Sequence, residues 1–101
     1  MSGIIDKCCK SYEHLFDNGI MEIWTTDKML PLTPLDAEKS NALADIMEIL
    51  DDECQKKNVL WGKQMAHGLP TATYLDRDAS ILNISRDTSN HKVVAEWKRR
   101  K

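Results

Sequence analysis

Glu96 and Lys98 are the residues of this chain best placed by type and spacing to do chemistry. They stand two apart at the end of an apolar run, Val93-Val94-Ala95, so on a strand a carboxylate and an ammonium share one face. With an upstream aspartate, Asp78 or Asp87, such a pair can hold a divalent cation and activate water. A second grouping, Cys8, Cys9 and His14, has metal-ligating types in the wrong arrangement. Adjacent helical positions sit about 100° apart, so the two thiolates do not converge, and no Cys-x-x-Cys pair exists. Asp76-x-Asp78 lacks the glycine and distal glutamate of a calcium loop and reads as turn residues. His67 and His91 fall near a helix end and in a turn, and no motif sets a base beside a nucleophile.

The Glu96-Trp97-Lys98 stretch resembles the metal-binding signature of PD-(D/E)xK nucleases. The resemblance implies that Glu96 and Asp78 or Asp87 hold the cation while Lys98 helps activate water. That family continues with a helix and another strand, whereas only Arg99, Arg100 and Lys101 follow here. A terminal strand with alternating faces and a basic end is therefore expected, with no catalytic, metal or cofactor site.

The elements that must position these residues follow from periodicity. Leu35, Ala42, Leu43, Ile46, Ile49, Leu50 and Cys54 recur at three- and four-residue steps, which predicts a helix over 34–57. Thr33 suits its cap, Pro34 its first position, and Asp36 its positive N-terminal end. An amphipathic helix is expected over 3–17, ended by Asn18-Gly19, with Cys8, Cys9 and Cys54 as packing residues. Residues 20–26 read as a strand largely buried on both faces, leading to Met29, Leu30, Leu32 and Leu35, which are expected to pack under the helix, with an exposed apolar lip as the alternative. Residues 59–67 read as a short helix, with Trp61 and Met65 on one face. Residues 71–75, 80–85 and 92–97 read as an antiparallel meander. The fold class is α+β, with helices covering one face of a small, mostly antiparallel sheet; a winged-helix arrangement is the alternative.

At 101 residues, 42% hydrophobic and 30% charged, the chain fits one domain (1–101) with a frayed basic tail. No apolar run is long enough to span a membrane, and the N-terminus lacks an export pattern. Three cysteines, an odd number, favour free thiols, so a cytoplasmic location is expected. The net charge of −2 conceals net −6 over 1–60 and net +4 over 61–101. The halves either attract each other or face partners of opposite sign.

These features favour a small non-catalytic interaction protein, an adaptor or inhibitor acting on a larger macromolecule. Accessory proteins of phages and mobile elements share this profile. The expected contact surface is the acidic stripe Asp45, Glu48, Asp51 and Asp52, facing a basic protein surface. The alternative is nucleic-acid binding through Lys92, Lys98, Arg99, Arg100 and Lys101. A homodimer paired along Val93–Trp97 is also considered.

Overall fold

The computed structural model describes residues 3–24 and 33–99. Thr25 and Thr26, the lip residues Met29, Leu30 and Leu32, and the tail residues Arg100 and Lys101 lie outside the described residues. The order is α1 (Ile4–Lys10), a 3₁₀ turn (Glu13–Leu15), β1 (Ile20–Trp24), α2 (Pro34–Gln55), β2 (Val59–Ala66), β3 (Leu69–Asp76), β4 (Ile81–Asp87) and β5 (Lys92–Lys98). All neighbours in the single sheet, ordered β1-β5-β4-β3-β2, are antiparallel. The chain is α+β.

Helix α2 begins as its sequence dictates. The Thr33 hydroxyl accepts the Asp36 amide at 3.1 Å and donates to the Asp36 carboxylate at 2.7 Å, with Pro34 in the first turn. Its C-terminus closes with two back-bonds, Lys57 N–H to the Cys54 carbonyl and Asn58 N–H to the Glu53 carbonyl. Lys57 takes φ 65°, the left-handed position usually given to glycine. Ala42, Leu43, Ile46 and Leu50 are buried, as the three-and-four spacing requires. Leu35, at 53% exposed, and Ile49, at 38%, depart from the expected buried face.

The core lies between the helices and one face of the sheet. Register places Ile23, Met21, Ala95, Trp97, Leu82, Ile84, Tyr74 and Val59 on that face, and all are buried with Ile5 and Cys9 of α1. The other face is finished with polar cross-strand bonds. Gln64 donates to Thr73, Thr73 to Asn83, and Thr71 pairs with Ser85.

The expected helix over 3–17 is shorter. Tyr12, at φ −121° and ψ 24°, leaves the helical region after Lys10, and the chain resumes as the 3₁₀ turn. The apolar spacing survives because residues three apart share a side in both helix types. A seven-residue helix is too short to persist alone, and tertiary bonds hold it. The buried Asp76 carboxylate accepts the Ile5 amide at 3.1 Å as well as the amides of Asp78 and Ser80. Asp6 accepts from the Ser80 hydroxyl and the Trp97 indole. A Cβ at Gly3 would strike the Asp76 carboxylate, so this helix end seats only glycine without adjustment.

The larger correction is at 59–67, where the expected helix is β2. Trp61 and Met65 share a face in either element, because residues four apart align on a strand as on a helix. The left-handed Lys57 turns the chain out of α2, and His67 (φ 54°) and Gly68 (φ 77°) form a two-residue turn that folds β2 onto β3. The winged-helix alternative requires a helix at this segment and falls with it. Strand β1 alternates exposed and buried residues rather than burying both faces. Among the described residues, no helix is long and apolar enough to cross a membrane.

Candidate interaction surface

The acidic residues singled out from the sequence all lie on α2, over its last three turns, but they are not equivalent. Asp45 accepts the Tyr12 hydroxyl at 2.6 Å, tying α2 to the segment after α1. Asp51 accepts the Tyr74 hydroxyl at 2.7 Å, tying α2 to β3. Burial and then this bond push the Tyr74 hydroxyl pKa up, so it stays a donor. Asp52 pairs with Lys56 at 3.0 Å on the exposed side, a contact that raises the lysine pKa. Glu48 is exposed beside Ile49. Asp45, Glu48 and Asp52 therefore line a solvent-facing strip, with exposed Ile49 along one margin and Asp51 at its sheet-side margin.

Of the basic residues singled out for nucleic acid, the three that are described each meet a carboxylate. Lys92 meets Glu22 at 3.1 Å, Lys98 meets Glu96 at 3.3 Å, and Arg99 meets Glu13 at 3.5 Å. Arg99 also stacks on Trp97, 3.9 Å from the ring centroid, so the tail is anchored at least that far. Lys92 and Lys98 are six residues apart on β5, about 20 Å, and do not form one patch.

The nuclease-like residues do not assemble. Glu96 and Lys98 share the outer face and pair with each other. Asp87 sits opposite Lys92 at the far end of β5, where it accepts from Asn90, a contact that lowers its pKa. Asp78 is in the β3–β4 turn, its amide bonded to Asp76. Among the described residues, no three His, Cys, Asp or Glu side chains are close enough to share a metal ion. Cys8 and Cys9 are buried core residues, and burial pushes the Cys9 thiol up to about 12. His14 is exposed, 3.5 Å from Glu38.

The dimer edge expected at Val93–Trp97 is absent because β5 lies inside the sheet, between β1 and β4. The edges are β1 and β2, and they are finished differently. On β1, both backbone groups of Ile20 bond Asp17, the Glu22 carbonyl accepts from Lys39, and the Trp24 amide donates to Asp36. On β2, eight residues long, no such cover exists among the described residues. Its side chains include Leu60 at 67% exposed, Trp61 at 49% and Met65 at 68%. Trp61, Lys63 and Met65 line a groove of about 640 Å³, together with Met47 and Asp51 of α2 and Arg86 of β4.

Sequence reasoning missed this region. A strand reading of 59–66 would have raised it, since Lys63 is the only charge in eight residues that include Leu60, Trp61 and Met65. The chain matches no family model, no curated protein and no solved structure in comparisons with known proteins.

Proposed function

We propose that this protein is a non-catalytic binding module, an adaptor or inhibitor, that docks the acidic strip of α2 onto a basic surface of a larger protein. One observation carries the reading. Among the described residues, the chain's own basic half neutralises Glu22 and Glu13 but leaves Asp45, Glu48 and Asp52 without a cation from that half. Their one lysine partner, Lys56, comes from α2 itself. The charge segregation visible in the sequence is thus matched internally at Glu22 and Glu13, and the acidic residues of α2 are the part of it that faces outward. Exposed Ile49 beside the strip adds the apolar contact that charge alone lacks. Carboxylates on Lys92, Lys98 and Arg99 support a protein partner over the alternative, nucleic acid.

The test is capture of the partner from the native host, followed by affinity measurement with Asp45→Asn, Glu48→Gln and Asp52→Asn combined. Loss of at least about tenfold in affinity, mostly through slower association, and a flatter salt dependence are expected. Equal affinity for wild type and triple variant would remove the strip from the interface. Micromolar, salt-sensitive binding of labelled DNA or RNA would favour the nucleic-acid reading instead.

A further inference from the structure

The backbone of β2 is arranged for one more strand. The Asp76 amide donates to the Ser80 carbonyl, so on β3 the backbone groups of Ala72, Tyr74 and Asp76 point towards β4. By alternation, Leu69, Thr71, Thr73 and Leu75 bond β2, through their register partners Ala66, Gln64, Gly62 and Leu60. The two-residue turn at His67-Gly68, closing on the Ala66–Leu69 pair, requires the same pattern. Val59, Trp61, Lys63 and Met65 therefore present both N–H and C=O outward, in a continuous row.

We propose that β2 pairs antiparallel with β2 of a second copy, with Gly62 on the twofold axis, so that the two sheets become one. The inference is independent of the acidic-strip reading. An axis normal to the sheet keeps each face on its own side, so it must pass through a residue position. Centred on Lys63, it sets two ammonium groups opposite each other; centred on Trp61, it leaves Met65 beyond the partner strand. Centred on Gly62, it uses the whole row: each Trp61 faces a Lys63 and each Val59 a Met65. The same cross-strand pair already exists within this sheet, where Trp24 is opposite Lys92 and the ammonium lies 5.1 Å from the ring centroid. Asp51 lines the groove beside Trp61, so the incoming lysine also meets a carboxylate. Lys63, the one charge that blunts this edge, becomes a cross-strand contact, and the pairing is self-complementary. That favours a second copy over a foreign strand.

The register has a direct trap. Gly62 faces its copy as a non-hydrogen-bonded pair, with Cα atoms about 4.5 Å apart, within disulfide range. A Cβ added at Gly62 meets nothing within 4 Å. In a Cys54→Ser background, Gly62→Cys is expected to form a covalent dimer under mild oxidation, and Lys63→Cys far less of it. Sedimentation of the unmodified chain should rise with concentration from 11.6 kDa towards twice that mass. Lys63→Pro removes an outward N–H that the monomer does not use, and should hold the chain at the lower mass with an unchanged circular dichroism spectrum. Should that variant misfold, Lys63→Glu, which sets a carboxylate against Trp61 and Asp51, must lose the dimer while folding normally. A mass of 11.6 kDa at every concentration overturns the proposal and leaves the edge to a strand of another protein. Preferential cross-linking at Lys63→Cys overturns the register, and a folded Lys63→Pro or Lys63→Glu chain that still dimerises overturns the use of this edge.

Discussion

At the β1 edge, the outward N–H of Trp24 reaches the Asp36 carboxylate at 3.2 Å and the Glu22 carbonyl takes a bond from Lys39, whereas Trp61, Lys63 and Met65 at the β2 edge direct theirs into solvent. Both edges border the same sheet and both lie near α2. The difference comes from where α2 has polar side chains to spare. Its first turns carry Asp36 and Lys39 beside β1, while Met47 and Asp51 flank the groove at β2 and Asp51 is already bonded to Tyr74. An unpaired edge invites another strand, and among the described residues one edge is closed while the longer one is open.

The comparison breaks most readily at Asp36. Its carboxylate holds both the Trp24 amide and the Thr33 hydroxyl, so Asp36→Ala should lower stability by about 2–3 kcal/mol in urea titration. A cost under about 0.5 kcal/mol would mean the β1 edge is not closed by this contact.

Two glycines sharpen it further. Gly19, just before β1, has φ +82°, and a Cβ there would sit 2.7 Å from the Trp97 carbonyl oxygen. Gly19→Ala should cost about 2 kcal/mol in thermal or urea unfolding. Gly62, on the open edge, shows neither constraint, and its replacement belongs at the other end of the scale.

Alkaline titration probes the core between the two edges, where Cys9 of α1 is buried. Its pKa rises from 9.0 to about 12, chiefly through burial. The thiol is therefore favoured in the fold, and the unfolded chain releases its proton first. This contribution is constant below pH 9 and is lost as pH rises from 9 to 12. It should amount to about 1 kcal/mol by pH 10, and Cys9→Ser should flatten that part of the profile. The smallest effect is Gly62→Ala, expected to be neutral or to stabilise by about 0.5 kcal/mol.

Much of the closed side was legible in the sequence. The Thr33-Pro34-Leu35-Asp36 start of α2, its buried spacing and the Asn18-Gly19 turn are local signals, and local signals are what a sequence displays. Asp36 was expected as a charge at a helix end; its bond to Trp24 depends on a tertiary approach that spacing does not reveal. The acidic strip was readable as a helix face, but not that Asp45 and Asp51 bond to Tyr12 and Tyr74. The open edge was illegible for a different reason. Trp61 and Met65 are four apart, a spacing common to helix and strand, and nothing in the sequence shows that Gly62 is an unobstructed place on a strand. The position of β5 was lost similarly, because a C-terminal strand need not lie at a sheet edge, and here β1 returns to cover it.

Residue-resolved amide hydrogen exchange in dilute solution, with the chain monomeric, tests the contrast between the edges most directly. Trp24 should be protected by Asp36, and Leu60, Gly62 and Gln64 by β3, while Trp61, Lys63 and Met65 exchange near their intrinsic rates. Trp61, Lys63 and Met65 exchanging as slowly as Trp24, or Trp24 exchanging as fast as they do, would contradict it.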